Sequence, residues 1–182
     1  MKRRIFVVLM VVFTLLITTS IAFASPAAQA TTVTQLSGAQ EFPPRETDAQ
    51  GRLLLQAGKD GSSLDYRLIV EKISNVTAAH IHCAPAGVNG PVGVTLFSGG
   101  TPGSGRFDGV LSAGTVTAPD AGNGCGWDSI EEVLAAMATG NTYVNVHTND
   151  GVAPTNTGPG DYPGGEIRGQ LSQHGHDHDD DD

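Results

Sequence analysis

The chain is predicted to fold as an all-β domain, a Greek-key sandwich or barrel of about eight short strands with one short helix. Two observations carry that expectation. Most apolar runs are short and alternate with polar residues, the period of a strand with one buried face, and glycine and proline clusters separate them as turns do. One segment alone shows helical spacing. Roughly 140 residues lie between an apolar N-terminal leader and a polar tail, which fits a single domain.

In chain order, the strands are expected at Thr32–Leu36, Gly51–Ala57, Ser63–Glu71, Ala78–His82, Val92–Phe97, Arg106–Leu111, Thr142–His147 and Glu166–Leu171. That many short strands in one domain suits Greek-key connections. The helix is expected where Ile130, Val133, Leu134 and Met137 recur at i, i+3, i+4 and i+7, with Asp128 as N-cap, Glu131 at N3 and Gly140 at the stop. Asn149–Gly165, rich in Gly, Pro, Asn and Asp, reads as a long irregular loop.

The first residues have the layout of a secretory signal peptide. Lys2, Arg3 and Arg4 precede an apolar stretch from Ile5 to Ile17, and small-residue sites follow at Ala22-Phe23-Ala24 and Ala28-Gln29-Ala30. The expectation is a signal peptide at residues 1–24, with cleavage as late as residue 30 as the alternative. Threonines and Ser20 interrupt the stretch before it reaches the ~20 apolar residues of a spanning helix, so no membrane span is expected after cleavage. The protein is therefore expected to be secreted or extracytoplasmic, in a periplasm or at a cell surface.

Cleavage removes three of the ten Lys and Arg and none of the nineteen Asp and Glu, leaving a formal charge of −12. The remaining basic residues are scattered singly, which argues against a nucleic-acid partner. The two cysteines, Cys83 and Cys125, allow one intramolecular disulfide in an oxidising compartment. Residues 173–182, with His174, His176 and His178 among aspartates, hold nothing apolar to pack and are expected to be disordered, with weak chelating capacity.

Three stretches taken together carry a family resemblance. They are Leu36-Ser37-Gly38-Ala39-Gln40-Glu41-Phe42-Pro43-Pro44, then Ala79-His80-Ile81-His82-Cys83-Ala84-Pro85-Ala86-Gly87-Val88-Asn89-Gly90-Pro91-Val92, and last Tyr143-Val144-Asn145-Val146-His147-Thr148 with Tyr162-Pro163-Gly164-Gly165-Glu166-Ile167-Arg168-Gly169-Gln170-Leu171. In this order and at these separations the chain resembles the CHRD domain, named for chordin, in its bacterial single-domain secreted form. The resemblance covers Thr32 to Ser172, so a CHRD domain is expected at residues 31–172. It implies an immunoglobulin-like β architecture and export, without a defined activity.

Strand alternation points His80 and His82 to one side and Ala79, Ile81 and Cys83 to the other. It likewise separates Tyr143, Asn145 and His147 from Val144 and Val146, and Glu166 and Arg168 from Ile167. If these strands are neighbours, the histidines, Glu166 and Arg168 converge on one polar face. Two imidazoles at i and i+2 with a third from the next strand suit copper or zinc, so His80, His82 and His147 are candidate metal ligands. Glu166, Arg168 and Asn145 are candidates for orienting them. The competing reading is a hydrogen-bonded, ion-paired network that pins strand register without metal.

The expected function is an exported, non-enzymatic binding module for a metal ion or an extracellular or envelope ligand. Two alternatives stand beside it. One is a copper-dependent metalloenzyme resembling superoxide dismutase, whose β-sandwich also carries a strand-borne His-x-His; the other is a purely structural or adhesive surface domain. No serine sits in a nucleophile elbow, and the glycine-rich Ser98–Gly103 lacks the lysine of a phosphate loop.

Overall fold

The computed structural model describes residues 31–172; the expected signal peptide and the His/Asp-rich tail lie outside them. Eight strands form, β1 Thr31–Ser37, β2 Gln50–Ala57, β3 Leu64–Ser74, β4 Val76–Cys83, β5 Val92–Phe97, β6 Arg106–Val116, β7 Thr142–Thr148 and β8 Ile167–Leu171. One helix, α1 Ile130–Ala138, precedes β7, and a short 3-10 turn at Gly38–Gln40 follows β1. Each expected strand is present. The largest difference is β6, which runs five residues beyond Leu111 because Ser112–Val116 pairs with β3 down to Leu64. Local pattern underestimated it, since pairing rather than hydrophobicity sustains that end.

All pairings are antiparallel, and the order is β5-β4-β7-β8-β1-β2-β3-β6. The sheet curls until its edges approach. Across that seam the Leu96 carbonyl of β5 accepts hydrogen bonds from the Tyr66 hydroxyl at 2.9 Å and the Ser112 hydroxyl at 2.7 Å. The result is a nearly closed barrel in which the β3–β4 and β6–β7 connections each cross over strands, as Greek keys require.

The alternate residues that face inward, among them Leu53, Leu68, Ile81, Val144, Val146 and Ile167, make one core from which solvent is excluded. Helix α1 adds Ile130, Val133 and Met137 to it, while Leu134 packs at the rim, half-buried. Its N-cap is Ser129, not the expected Asp128. Asp128 lies one residue outside, and its backbone N–H donates to Glu132 Oε2 at 2.6 Å, so Glu132 rather than Glu131 makes the reach-back contact. Gly140, with φ +69°, ends the helix where expected and donates its N–H to the Met137 carbonyl at 3.0 Å.

Cys83 and Cys125 are bonded to each other, 42 residues apart, and join the end of β4 to the segment before α1. The long loop at 149–165 is held close. Thr148 exchanges hydrogen bonds with Tyr162, and the Gly160 N–H reaches Glu166. Among the described residues no helix is long and apolar enough to cross a membrane.

Candidate metal centre

β4, β7 and β8 lie side by side, so the three motif stretches become three neighbouring strands. His80 stands opposite Asn145, His82 opposite Tyr143, and Asn145 in turn opposite Arg168. Ala79, Ile81, Val144, Val146 and Ile167 fill the barrel, and the polar residues between them face outward. That outward face is not open to water. Segments 38–47, 84–91 and 149–165 fold over it, leaving Tyr143 and Asn145 each 2% exposed and Arg168 1%.

The three expected ligands meet. One ring nitrogen from each of His80, His82 and His147 lies within 4.8 Å of the others. His80 Nδ1 and His147 Nε2 are 3.0 Å apart. Nitrogens around a tetrahedral zinc, bonded at about 2.0–2.1 Å, are roughly 3.3 Å apart. One edge of the trio is therefore already at coordination spacing, and the third nitrogen needs a modest inward movement.

Backbone carbonyls set the tautomers, because a carbonyl can only accept. The Pro163 carbonyl lies 2.8 Å from His147 Nδ1 and the Gly90 carbonyl 2.9 Å from His82 Nδ1, so both rings carry their proton on Nδ1. Their Nε2 lone pairs are left for another partner, the arrangement typical of imidazoles that ligate metals. His147 Nε2 accepts a hydrogen bond from His80 Nδ1–H. His82 Nε2 is buried and makes no hydrogen bond of normal geometry, with the Asn145 amide as its polar neighbour. For His80 to ligate through Nδ1, its proton must move to its own Nε2, a tautomer change that releases no proton.

Burial also keeps the trio uncharged. Desolvation depresses all three imidazoles below the ordinary histidine value, His147 to about 4, and the repulsion of neighbouring imidazoles adds to it for His80 and His147. Asp120 near His80 opposes the shift there. His80 and His147 are half-buried, and His82 is buried.

The other candidates go elsewhere. Glu166 is fully buried, but its oxygens accept from Thr47 and Thr148 at 2.6 Å each and from the Gly160 N–H at 2.8 Å, so it ties the 149–165 loop to the β1–β2 connection rather than orienting a histidine. It sits just before β8, where the chain has not yet taken up strand alternation. The expected Glu166–Arg168 pair is not among the ion pairs of the described residues. Arg168 instead donates to the carbonyls of Val88 and Pro85, and its guanidinium lies 3.4 Å over the Tyr143 ring. Asn145 lies beside His82, with its Oδ1 unpartnered.

Sequence reasoning missed Glu41 and Tyr143. Glu41 is 5% exposed with Oε1 unpartnered, and desolvation pushes its carboxyl up to about 7 against the pull of Arg168 and Arg45. A Cβ on Gly165 would press against both Glu41 Oε1 and Asn145 Nδ2, so that close approach requires glycine. Tyr143 stacks on His82, ring centroids 4.8 Å apart and planes 8° apart. The only trace of Glu41 in the sequence is its place in the Leu36–Pro44 motif.

Fold and site together define an antiparallel eight-stranded barrel domain that carries on its outer face a trio of neutral imidazoles, one buried and two half-buried. Residues 32–171 match the CHRD domain family, and the chain belongs to it. Comparison with curated proteins and with solved structures returned no match.

Proposed function

We propose that this protein is a secreted, non-enzymatic CHRD module that binds one transition-metal ion, copper or zinc, through His80, His82 and His147. The observation that carries the reading is the meeting of the three imidazoles, one ring nitrogen from each within 4.8 Å of the others, with His82 Nε2 buried and making no hydrogen bond of normal geometry. A register-pinning network would satisfy that nitrogen, since a buried polar atom left unpaired costs about 1–3 kcal/mol. The fixed tautomers of His82 and His147 and the suppressed imidazole charge favour the same reading. The signal-peptide layout of the first residues and the Cys83–Cys125 bond support an extracytoplasmic setting for this role.

Metal titrations on three proteins test this. They are the chain from Ser25 onward, the same chain ending at Gln173, and the chain with His80, His82 and His147 all replaced by alanine. The first two should share one tight site that the third lacks. If shortening removes all binding while the triple substitution leaves it unchanged, the barrel holds no metal and the chemistry belongs to the tail.

A further inference from the structure

We infer that Arg168 is a positioning residue for His82, acting through the 84–90 segment and the Tyr143 ring to fix which imidazole nitrogen faces the metal. Its consequence for affinity rests on the metal reading above; its effect on the His82 ring does not.

Arg168 is a cation taken out of water without a carboxylate within ion-pair distance among the described residues. Such burial is unfavourable unless other groups meet the charge. Here the acceptors are the Val88 carbonyl at 2.9 Å, the Pro85 carbonyl at 3.0 Å, Asn89 Oδ1 at 3.4 Å and Gln170 Oε1 at 3.1 Å. Three of them belong to one short segment. Gln170 holds the start of that segment as well, donating Nε2 to the Ala84 carbonyl at 3.0 Å.

The segment ends at Gly90, and there it meets the histidine site. The Gly90 carbonyl accepts from His82 Nδ1 at 2.9 Å, and the Gly90 N–H donates to the Tyr143 hydroxyl at 3.2 Å. No slack exists at this point, because a Cβ on Gly90 would fall 2.0 Å from the Cys83 carbonyl oxygen. A second route runs through the rings. β7 lies between β4 and β8, so the Tyr143 ring is approached from one side by His82 and from the other by the Arg168 guanidinium. Both routes converge on one imidazole, and together they hold its plane and keep its proton on Nδ1.

A side chain that only stabilised the fold would not select a tautomer. Arg168→Lys keeps the charge but has no planar fork to span Pro85 and Val88 and stacks less well on Tyr143. Without the clamp, the Gly90 carbonyl drifts from His82, the Nε2–H tautomer becomes populated, and the lone pair that faces the metal is lost in that fraction.

The test uses the chain from Ser25 onward with His174, His176 and His178 replaced by alanine, labelled with 15N in histidine. In metal-free protein, long-range 1H–15N spectra should show His82 as the Nδ1–H tautomer alone. Arg168→Lys should give a mixture, and zinc ions should bind about 10- to 100-fold more weakly, the usual effect of losing a group that orients a ligand. Glu166→Gln, equally buried on the approach to the same strand but outside the clamp, should leave the His82 tautomer unchanged. If Arg168→Lys does not fold, Tyr143→Phe replaces it; removing the hydroxyl alone frees Gly90 and should also mix the tautomers. A His82 that stays purely Nδ1–H in the folded variant overturns the inference. A parent chain, without the tail histidines, that binds neither zinc nor copper sinks the metal reading, while the tautomer result still decides the role of Arg168.

Discussion

His80 Nδ1 and His147 Nε2 lie 3.0 Å apart across the β4–β7 pair, although 67 residues separate them in the chain. His147 stands directly opposite Ala78, so His80 reaches it diagonally. The contact makes one edge of the proposed metal site out of two hydrogen-bonded rings, and a metal would have to displace that hydrogen bond to bind.

Protons compete with metal at the folded trio only at low pH. An unperturbed imidazole loses metal below about pH 6, and the tail histidines should follow that rule. Burial holds all three folded rings below the ordinary value, His147 furthest at about 4, so affinity of the chain ending at Gln173 should fall at a lower pH than that of the tail. Calorimetric titrations at pH 7, 6 and 5 check it; a steep loss already between 7 and 6 rejects it.

Glu41 should make stability depend on pH with a particular sign. Its carboxyl is raised from 4.5 unfolded to about 7 folded, so the native state binds the extra proton between those values and loses stability as pH rises through them. The shift corresponds to about 3 kcal/mol. His147, shifted down, contributes the opposite slope up to about pH 6.5. Glu41→Gln should therefore match wild type near pH 4 and exceed it by up to about 3 kcal/mol near pH 8. Urea unfolding at both pH values measures this, and a gap that does not grow with pH excludes the buried acid.

Helix α1 should show graded sensitivity along its stripe. Ile130 and Met137 lie in the core and Leu134 at its rim. Ile130→Ala should cost about 2–5 kcal/mol, and Leu134→Ala about 1–2 kcal/mol because only part of its surface is withdrawn from water. Equal losses at both positions contradict the packing.

The disulfide should contribute substantially. It closes a loop of 42 residues, for which the chain-entropy relation gives about 4 kcal/mol. Replacing both Cys83 and Cys125 by serine should lower unfolding stability by about 2–5 kcal/mol. A loss below about 0.5 kcal/mol, the size of an ordinary surface change, contradicts it.

Strand positions were legible because alternation is a local signal: each run from Thr32 to Leu171 announced its inward face by its own apolar residues. The cysteine pairing followed from having only two, and the histidine candidates from the i, i+2 spacing of His80 and His82. What failed was placement that depends on partners. Glu166 was grouped with the histidines by counting alternation one residue beyond the true start of β8, and its oxygens went to Thr47, Thr148 and Gly160.

The sequence by itself determined that this is a β domain with one possible disulfide, and that the imidazoles of His80, His82 and His147 share a face with Tyr143 and Asn145 away from the aliphatic core. Tertiary structure alone decided that the outward face is buried, that Gly90 and Pro163 set the tautomers of His82 and His147, that Arg168 clamps a loop rather than pairing with an acid, and that Glu41 is driven toward neutrality. The reason is physical. Alternation along a strand is fixed by backbone geometry within a few residues, whereas the covering of a face depends on where loops from distant parts of the chain come to rest, and burial, tautomer and charge state all follow from that covering.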